Sequence, residues 1–376
     1  MKKPDVIVVG AGIVGAACAA ELQALGRDVL LVDGSVPGGG VTAAGMGHLV
    51  ALDETDDELD LCLLSLARWD AYLSTRAGRA EHVRCGTLWV AEDDAQMAHA
   101  RVRAGRLAGR GWDAVEVSGD ALARMEPALR AGLAGAVRVA RDGVVYPPAV
   151  ARDLADTLVA LGGRTRFGTA VARVDAGSVT MASGERLDAG DVVVATGAAV
   201  TRLLPDIPIF PRKGHLAITA RDPRRLSHQV VSMAYGQTEG QTEAGNAALA
   251  VAANVQPRIT GQWLIGSCRQ DGVAHTDVDP RVLAQVLRSA IALLPCLADM
   301  KIIRSWTGLR PATVDGRPVI GRHPTLPRVW VAAGHEGLGV TTAFGTAQLL
   351  ADLMLDRPPA IDASPYSPSR FAHVPA

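Results

Sequence analysis

The chain has 376 residues, of which 48% are hydrophobic and 20% are charged, and 38 basic residues oppose 39 acidic ones. This is the balance of an ordinary folded protein with a large core, and the length favours two domains over one. A formal net charge of −1 gives no sign of a nucleic-acid partner or of an anionic membrane surface. No apolar stretch approaches the ~20 residues that span a bilayer, so we expect membrane contact to be indirect at most.

The five cysteines are widely spaced and include no Cys-x-x-Cys pair. An odd count without that spacing argues against a disulfide framework and against a zinc site. We therefore expect no bound metal and a cytoplasmic location. Lys2 and Lys3 do precede an apolar run, but glycines break that run too early for a signal peptide.

The N-terminal part of the chain predicts a strand, a helix and a second strand. Apart from Asp5 at its start, the segment 5–9 is apolar and β-branched, the pattern of a parallel strand buried on both faces. Residues 12–25 have helical spacing, and Gly26 is placed to end that helix. Residues 29–32 form a second apolar run that stops at Asp33. These elements fit within the roughly 30 residues of one βαβ unit.

The loop between the first strand and the helix reads Gly10-Ala11-Gly12-Ile13-Val14-Gly15. In a G-x-G-x-x-G loop, the first glycine permits the turn, the second leaves room for a pyrophosphate, and the third lets the helix pack on the strand. Free N–H groups and the helix dipole favour the negative charge of the phosphates. Asp33 would accept hydrogen bonds from both ribose hydroxyls, unless it is only a strand-end residue. This context predicts a Rossmann-type dinucleotide site.

The glycine loop alone does not distinguish NAD from FAD, and the rest of the chain favours FAD. Glycine-rich residues 37–47 either approach a ligand closely or form a surface turn. An NAD dehydrogenase usually supplies its second nucleotide half at once, whereas this chain makes a long excursion, which favours FAD. A loop at 334–339 precedes a helix of about 18 residues, and the proline-rich C-terminal end is expected to be a surface tail. Helices are predicted at 54–75, 95–107, 118–125, 147–161 and 281–294, and strands at 86–91, 169–175, 178–181, 191–195, 209–220, 248–253, 263–267, 304–310 and 329–333.

Four separated segments resemble the D-amino-acid oxidase-like group of FAD oxidoreductases, which includes glycine oxidase and sarcosine oxidase. They are the N-terminal loop with Asp33, Thr42-Ala43-Ala44-Gly45-Met46, Ala195-Thr196-Gly197, and Gly308-Leu309-Arg310-Pro311 followed by Asp315-Gly316-Arg317-Pro318-Val319-Ile320-Gly321. The last segment is the most specific and is similar to the glycine oxidase pattern, whereas residues 212–300 are diverged. Within the group, the chain looks most similar to the small catalytic subunits of multi-subunit amino-acid dehydrogenases: D-hydroxyproline dehydrogenase, opine oxidase and hydrogen cyanide synthase.

The resemblance implies an α/β fold in which a Rossmann-like FAD-binding domain of the GR2 type carries a second, mixed-sheet substrate domain. The FAD domain would comprise residues 1–82, 146–211 and 306–376, and the substrate domain residues 83–145 and 212–305. FAD would be held non-covalently, because no cysteine lies near 334–339, where some relatives attach it. The residues implied to contact FAD are Gly10, Gly12, Ile13, Val14, Gly15, Asp33, Gly34, Thr42, Ala43, Ala44, Gly45, Met46, Val171, Thr196, Gly197, Arg310, Gly334, His335, Gly337, Leu338, Gly339, Val340 and Thr341.

Three side chains are implied to serve catalysis: Arg310, Tyr235 and His48. Arg310 would pair its planar guanidinium with a substrate carboxylate, and the alternative is a structural salt bridge. Tyr235 lies roughly where relatives place a tyrosine hydroxyl on that carboxylate, but a core or surface tyrosine is at least as well supported. His48 would either contact the flavin or be a packed core histidine. Glu336 would oppose flavin reduction if it faced the pyrimidine ring, so we expect a solvated loop acid there.

The resemblance further implies an FAD-dependent oxidoreductase acting on CH–NH or CH–NH₂ groups. The expected reaction converts a small or cyclic amino acid, with D-hydroxyproline or D-proline favoured, to its imine by hydride transfer to flavin N5. Electrons would then leave through other subunits of a hetero-oligomer. The alternatives are a glycine- or sarcosine-type oxidase that makes hydrogen peroxide, an opine oxidase subunit, and a flavoprotein that only binds FAD and docks partners. Lys213 and His215, on a strand similar to the family's Pro-x-Lys-Gly-Gln segment, are expected at the flavin edge.

Overall fold

The computed structural model of the chain describes residues 2–51, 55–235 and 249–371. Its helices are α1 (Ile13–Ala24), α2 (Gly40–Ala44), α3 (Asp56–Arg76), α4 (Asp94–Ala108), α5 (Gly119–Met125), α6 (Pro147–Ala160), α7 (Val200–Leu203), α8 (Pro280–Leu293) and α9 (Ala343–Met354). Its strands are β1 (Val6–Val9), β2 (Val29–Asp33), β3 (His48–Leu49), β4 (Thr87–Ala91), β5 (Val115–Ser118), β6 (Gly135–Val139), β7 (Gly143–Val144), β8 (Arg164–Phe167), β9 (Val171–Asp175), β10 (Ser178–Met181), β11 (Arg186–Asp188), β12 (Asp191–Val194), β13 (Ile209–Thr219), β14 (Gln229–Ser232), β15 (Leu249–Pro257), β16 (Trp263–Gln270), β17 (Ile302–Thr313), β18 (Val319–Arg322) and β19 (Val329–Ala333).

A six-stranded sheet in the order β18-β19-β12-β1-β2-β8 is the first layer of the fold. Its strands are parallel except for β18, which is antiparallel to β19. All four residues of β1 are buried, because Val6 and Val8 face the helical layer while Ile7 and Val9 face the other side. Apolar residues at every position are what a strand covered on both faces requires. The predicted strand–helix–strand unit is therefore confirmed.

The helical layer on this sheet consists chiefly of α1, α3, α6 and α9. The aliphatic helix α1 packs against both α6 and α9, and α3 packs against α9. Helix α3 begins with a capping box, in which Thr55 accepts from the N–H of Glu58 and its hydroxyl donates to that carboxylate. Trp69 of α3 then meets Phe344 of α9 edge to face, with ring centroids 4.6 Å apart. These contacts fix the helix that follows the loop at 334–339.

An eight-stranded sheet in the order β17-β13-β16-β15-β14-β4-β6-β5 forms the second layer. Its neighbours are antiparallel except for the parallel pair β4 and β14, so the sheet is mixed, and α8 covers one of its faces. The long pairing of β13 with β17 sets Arg212 opposite Arg310 and Gly214 opposite Gly308. This register brings side chains from distant parts of the chain to one end of the sheet.

The fold class is confirmed, namely an α/β protein with a Rossmann-like sheet and a second, mixed sheet. The division into domains stays a prediction, and its proposed boundaries at 211/212 and 305/306 fall inside β13 and β17. The expected surface tail is wrong for its described part, because Tyr366 and Phe371 are buried and Arg370 pairs with Asp315 at 2.7 Å. Short 3₁₀ turns let this proline-rich segment return its aromatic rings to the core.

None of the helices within residues 2–51, 55–235 and 249–371 is long and apolar enough to cross a membrane.

Candidate active site

A cleft of about 840 Å³ lies where the carboxyl ends of β1, β2 and β12 meet strands β13 and β17. This edge of a parallel sheet is where open α/β proteins bind their ligands. The cleft therefore brings the predicted nucleotide loop and the predicted catalytic arginine to one place. The predicted site residues that line it are Gly10, Gly12, Ile13, Val14, Asp33, Gly34, Thr42, Ala44, Gly45, Met46, His48, Val171, Thr196, Gly197, Arg310, His335, Gly337, Gly339 and Val340.

The glycine loop at one end of the cleft is formed by close backbone packing. Gly10 has φ +107°, and a side chain there would come within 2.5 Å of the carbonyl oxygen of Ala195. A Cβ on Gly15 would lie 1.9 Å from the carbonyl oxygen of Gly10, so α1 can approach the strand only because that Cβ is absent. Asp33 holds the loop from the next strand, since its carboxylate accepts from the N–H groups of Ala11 and Ser35, each at 2.7 Å.

The segment Thr42-Ala43-Ala44-Gly45-Met46 connects the glycine loop to the second sheet. The hydroxyl of Thr42 accepts from the N–H of Ile13 at 3.1 Å, at the start of α1. On the other side, Trp306 of β17 donates to the carbonyl oxygen of Ala44 at 3.2 Å. Gln256 of β15 donates to the carbonyl oxygen of Met46. The segment thus sets the distance between the two sheets that bound the cleft.

Five of the residues predicted to contact FAD do not line the cleft: Gly15, Ala43, Gly334, Leu338 and Thr341. Gly15 faces the strand, and Ala43 lies on the exposed side of α2. A Cβ on Gly334 would meet the side chain of Thr313 at 2.9 Å. Leu338 closes a turn by donating its N–H to the carbonyl oxygen of His335, and Thr341 donates its hydroxyl to the carbonyl oxygen of His48. These five residues therefore support the residues that line the cleft and do not face it themselves.

Arg310 projects from β17 and is held in place by β16, which lies on the far side of the intervening strand β13. Its Nη1 donates to the carbonyl oxygen of Cys268 at 2.8 Å and its Nη2 to the hydroxyl of Ser267 at 2.5 Å. The guanidinium lies over Gly214, where a Cβ would be 2.7 Å from Nη2. These two hydrogen bonds use two of the five N–H donors that a guanidinium offers. The orientation of Arg310 is thus set by a backbone carbonyl, a hydroxyl and a glycine.

Glu336 is a second charged residue on the cleft wall, and the expected solvated loop acid is wrong. Its carboxylate Oε1 lies 3.4 Å from Nε of Arg269 and 3.9 Å from Nη1 of both Arg212 and Arg310. Only 12% of its side chain is exposed. Burial would raise the pKa of Glu336, but the three guanidinium groups and the N–H of Gly337 outweigh that effect and hold the pKa below its ordinary value. The residue is therefore ionised at neutral pH.

His48 lies in β3 on the same cleft, where its Nε2 is 2.8 Å from Nδ2 of Asn254. Burial, together with the positive charge of Arg310, lowers the pKa of His48 to about 4. The imidazole is therefore neutral at pH 7. Asn254 belongs to β15, so this pair bridges the nucleotide side of the cleft and the eight-stranded sheet.

The loop at 334–339 leads into α9 less directly than expected. The helix is 12 residues long rather than about 18 and begins at Ala343. The intervening residues form turns, in which the Thr342 hydroxyl donates to the carbonyl oxygen of Leu338 at 2.9 Å. The ring of His335 lies 2.9 Å from the hydroxyl of Thr346 in α9, and burial lowers the pKa of His335 to about 3. A neutral histidine thus anchors the loop to the helix.

Three other candidates lie elsewhere or outside the described side chains. Tyr235 ends a short 3₁₀ helix, and its side chain lies outside the part of the chain that the structure describes. Lys213 and His215 are buried but do not line the cleft. Nε2 of His215 accepts a hydrogen bond from the N–H of Asp279. Pro211, Gly214 and Leu216 of the same strand do line the cleft, so the expectation that this segment lies at the flavin edge stays a prediction.

The sequence reasoning missed Ser267 and Asn254, and it misjudged Glu336. Ser267 and Asn254 interrupt otherwise apolar stretches of β16 and β15. A polar residue inside an apolar strand requires a partner, and that signal could have identified both.

Comparison with known proteins agrees with this geometry. A family model described as FAD dependent oxidoreductase matches residues 5–353. The chain belongs to this family. Glycine oxidase of Pseudomonas aeruginosa is 30% identical over 385 residues, covering 97% of this chain and 98% of that protein. The crystal structure of glycine oxidase from Geobacillus kaustophilus has a TM-score of 0.87 at 26% identity, covering 98% of this chain and 99% of that one. L-proline dehydrogenase from P. horikoshii has a TM-score of 0.89 at 22% identity, covering 98% of each chain, and shows the shared fold alone.

The prediction of FAD as the cofactor is confirmed by this membership, and the cleft of this oxidoreductase fits it. At one end, Gly10 and Gly12 present backbone in place of side chains, and the Asp33 carboxylate lines the wall. The cleft continues past Gly45 and Gly197 to Arg310 and Gly337, so a single cavity connects the glycine loop to the predicted catalytic arginine. Its volume lies in the range of cofactor sites, roughly 300–1,000 Å³.

Proposed function

We propose that the enzyme oxidises the C–N bond of a small or cyclic α-amino acid to an imine, with D-hydroxyproline or D-proline as the favoured substrate. The observation that carries the proposal is the Arg310 guanidinium on the cleft wall, held by Cys268 and Ser267. The hydrogen bonds described above leave N–H donors for a bidentate carboxylate contact. The glycine oxidases that this chain resembles are amino-acid oxidising enzymes by name, which supports the same substrate class.

In this proposal the protein supplies position and charge. FAD, when bound, supplies the two-electron redox step at the substrate Cα. Arg310 fixes the carboxylate and thereby the direction of the Cα–H bond. His48 is neutral at pH 7, so it can hydrogen-bond to a ligand without adding positive charge. The substrate amine loses its proton to water before or during oxidation, and no residue is assigned as a dedicated base. The FAD is proposed to be bound non-covalently.

The proposed electron acceptor is a set of partner subunits in a hetero-oligomeric dehydrogenase, located in the cytoplasm. This proposal rests on the resemblance to small catalytic subunits of such complexes.

The second candidate is a glycine- or sarcosine-type oxidase, and the likeness to named glycine oxidases over nearly the whole chain favours it. The rate at which oxygen reoxidises the reduced protein separates the two. A fast reaction with stoichiometric peroxide supports the oxidase, and a slow one supports the dehydrogenase.

The substrate class is tested by mixing the oxidised holoenzyme anaerobically with D-hydroxyproline, D-proline, glycine, sarcosine and an opine. We expect at least one of them to bleach the flavin absorbance, with the D-prolines fastest. If none bleaches it, the amino-acid proposal is wrong, and a flavoprotein that only docks partners becomes the better description.

The role of Arg310 is tested by Arg310→Ala. Loss of a charge-assisted carboxylate contact costs about 3 kcal/mol, so kcat/KM should fall roughly 100-fold while FAD stays bound. Arg304→Ala is the matched control, because Arg304 is exposed on the same strand. Equal kinetics in the two variants would remove Arg310 from the substrate site.

A further inference from the structure

Glu336 and Arg310 share the cleft wall, and two further arginines stand behind them. Arg310 and Glu336 line the cleft, whereas Arg212 and Arg269 do not. All three guanidinium groups nevertheless lie within 4 Å of Oε1 of Glu336: Arg269 at 3.4 Å, Arg212 and Arg310 at 3.9 Å. The carboxylate of Glu336 therefore separates the cleft from two of the three positive charges.

The charges of this group leave one positive charge for a ligand. Arg212 pairs with Asp271 through two hydrogen bonds, at 2.7 Å and 3.0 Å. Three guanidinium groups thus face two carboxylates, those of Asp271 and Glu336, and the unbalanced charge is on the cleft side at Arg310. One substrate carboxylate on Arg310 completes the balance. A second carboxylate would meet that of Glu336 in a wall where little water can screen the repulsion.

The two oxygens of Glu336 have different neighbours. Oε2 accepts from the N–H of Gly337 at 2.6 Å. Oε1 is buried and, within the described residues, has ion-pair neighbours but no hydrogen-bond donor of its own. Because Oε1 is buried, a ligand in the cleft is influenced by the charge of Glu336 and does not form a hydrogen bond to this oxygen.

We propose that Glu336 determines substrate specificity, an inference that rests on the amino-acid oxidation proposed above. It admits substrates that carry one carboxylate, and its negative charge rejects substrates that place a second carboxylate beside Arg310. Monocarboxylic amino acids such as D-proline and D-hydroxyproline fit this rule. Dicarboxylic amines such as iminodiacetate and D-glutamate do not.

The decisive variant is Glu336→Gln, which keeps the size of the side chain and removes its charge. Non-reactive propionate and succinate are titrated into the holoenzymes of wild type and variant, and binding is followed by the change in flavin absorbance. We expect the Kd of succinate, relative to that of propionate, to fall at least tenfold in the variant. A ratio within twofold of the wild-type ratio would overturn the proposal.

The matched control is Glu185→Gln, the same chemical change at an exposed ion pair with Arg166. We expect its Kd ratio to equal that of wild type. An equal improvement in both variants would show a general effect of net charge and would overturn the specific role of Glu336.

A second variant keeps the test decisive if Glu336→Gln does not retain FAD. Arg269→Gln removes a positive charge behind Glu336, so it should shift the Kd ratio the other way, with succinate weakened at least threefold relative to propionate. An unchanged ratio there would also overturn the proposal.

Turnover separates this inference from the proposed function. In a wild-type enzyme that oxidises D-proline, Glu336→Gln should raise kcat/KM for iminodiacetate relative to D-proline at least tenfold. If wild type oxidises no amino acid, the proposed function fails, and the carboxylate titration still decides the role of Glu336.

Discussion

The two ends of the cleft are built in different ways. The nucleotide end is made of backbone: Gly10, Gly12 and Gly15 lie within one short segment, and the Asp33 carboxylate accepts a hydrogen bond from one backbone N–H of that segment. The substrate end is made of side chains that converge from separate strands and a loop, with Arg310 from β17, Ser267 from β16 and Glu336 from the loop at 334–339. A backbone site tolerates almost no added atom, whereas a side-chain site can change its chemistry while the fold is kept.

This difference explains why one fold can serve many substrates. The nucleotide end is constrained by distances as short as 1.9 Å between a hypothetical Cβ and a carbonyl oxygen. The substrate end is constrained by charge balance and by hydrogen bonds between side chains, which substitution can retune. Specificity is therefore expected to reside in residues such as Glu336, and cofactor binding in the glycines.

The largest expected effect is at Gly15. A methyl group there would overlap the carbonyl oxygen of Gly10, and neither backbone can move without separating α1 from the sheet. We expect Gly15→Ala to lose FAD and to lower the free energy of unfolding by about 3 kcal/mol. Flavin content after purification and urea unfolding check this.

The control for this prediction is Gly26→Ala. Gly26 has φ +86° at the end of α1, but a Cβ there meets nothing within 4 Å. Only the backbone conformation is penalised, which costs about 1 kcal/mol, and FAD should stay bound. If Gly15→Ala behaved like Gly26→Ala, the close approach of helix and strand would not matter for FAD binding.

The contrast between the nucleotide end and the substrate end also explains how much of the site can be predicted from the sequence. The nucleotide end could be predicted because its loop, helix and acid follow one another within one βαβ unit. Gly10 and Gly15 are required by backbone contacts that any side chain would break, so residue type alone carries the information. Arg310 could be predicted through its specific C-terminal segment.

The substrate end could not be predicted in full, because its contacts depend on strand register. Ser267 meets Arg310 only because β16 lies beside β13, which pairs with β17. The environment of Glu336 could not be predicted, because its partners Arg212 and Arg269 are distant in the sequence. An acid looks like a surface residue until the three-dimensional structure shows which cations face it.

A smaller effect is expected at Gly214, a glycine whose missing side chain leaves room for the guanidinium of Arg310. A Cβ there would lie 2.7 Å from Nη2 of Arg310, the mobile end of a long side chain. Gly214→Ala should therefore fold and bind FAD, but it should displace the guanidinium from Ser267. We expect KM for the amino acid to rise about tenfold, because small displacements at a positioning group weaken substrate binding.

The matched control is Gly105→Ala in α4, where a Cβ meets nothing within 4 Å. Steady-state kinetics and flavin content of the two variants decide the question. An unchanged KM in Gly214→Ala, with FAD bound, would show that the position of Arg310 is not set by this glycine.

The last expected effect is on the pH dependence of stability, and it involves His48 at the substrate end and His335 beside α9. Their pKa values, about 4 and about 3, lie below the value of about 6.5 expected for an unfolded chain. The unfolded chain therefore binds protons first as pH falls. Stability is undiminished above about pH 6.5, and below it each histidine lowers the free energy of unfolding by up to ~1.4 kcal/mol per pH unit, until its folded pKa is reached. Urea unfolding of wild type and His335→Asn between pH 8 and 5 measures this. The plot of the free energy of unfolding against pH should be less steep for the variant, by up to one bound proton. Both histidines are neutral at pH 8, which serves as the reference. Parallel plots for wild type and variant would contradict the low pKa of His335.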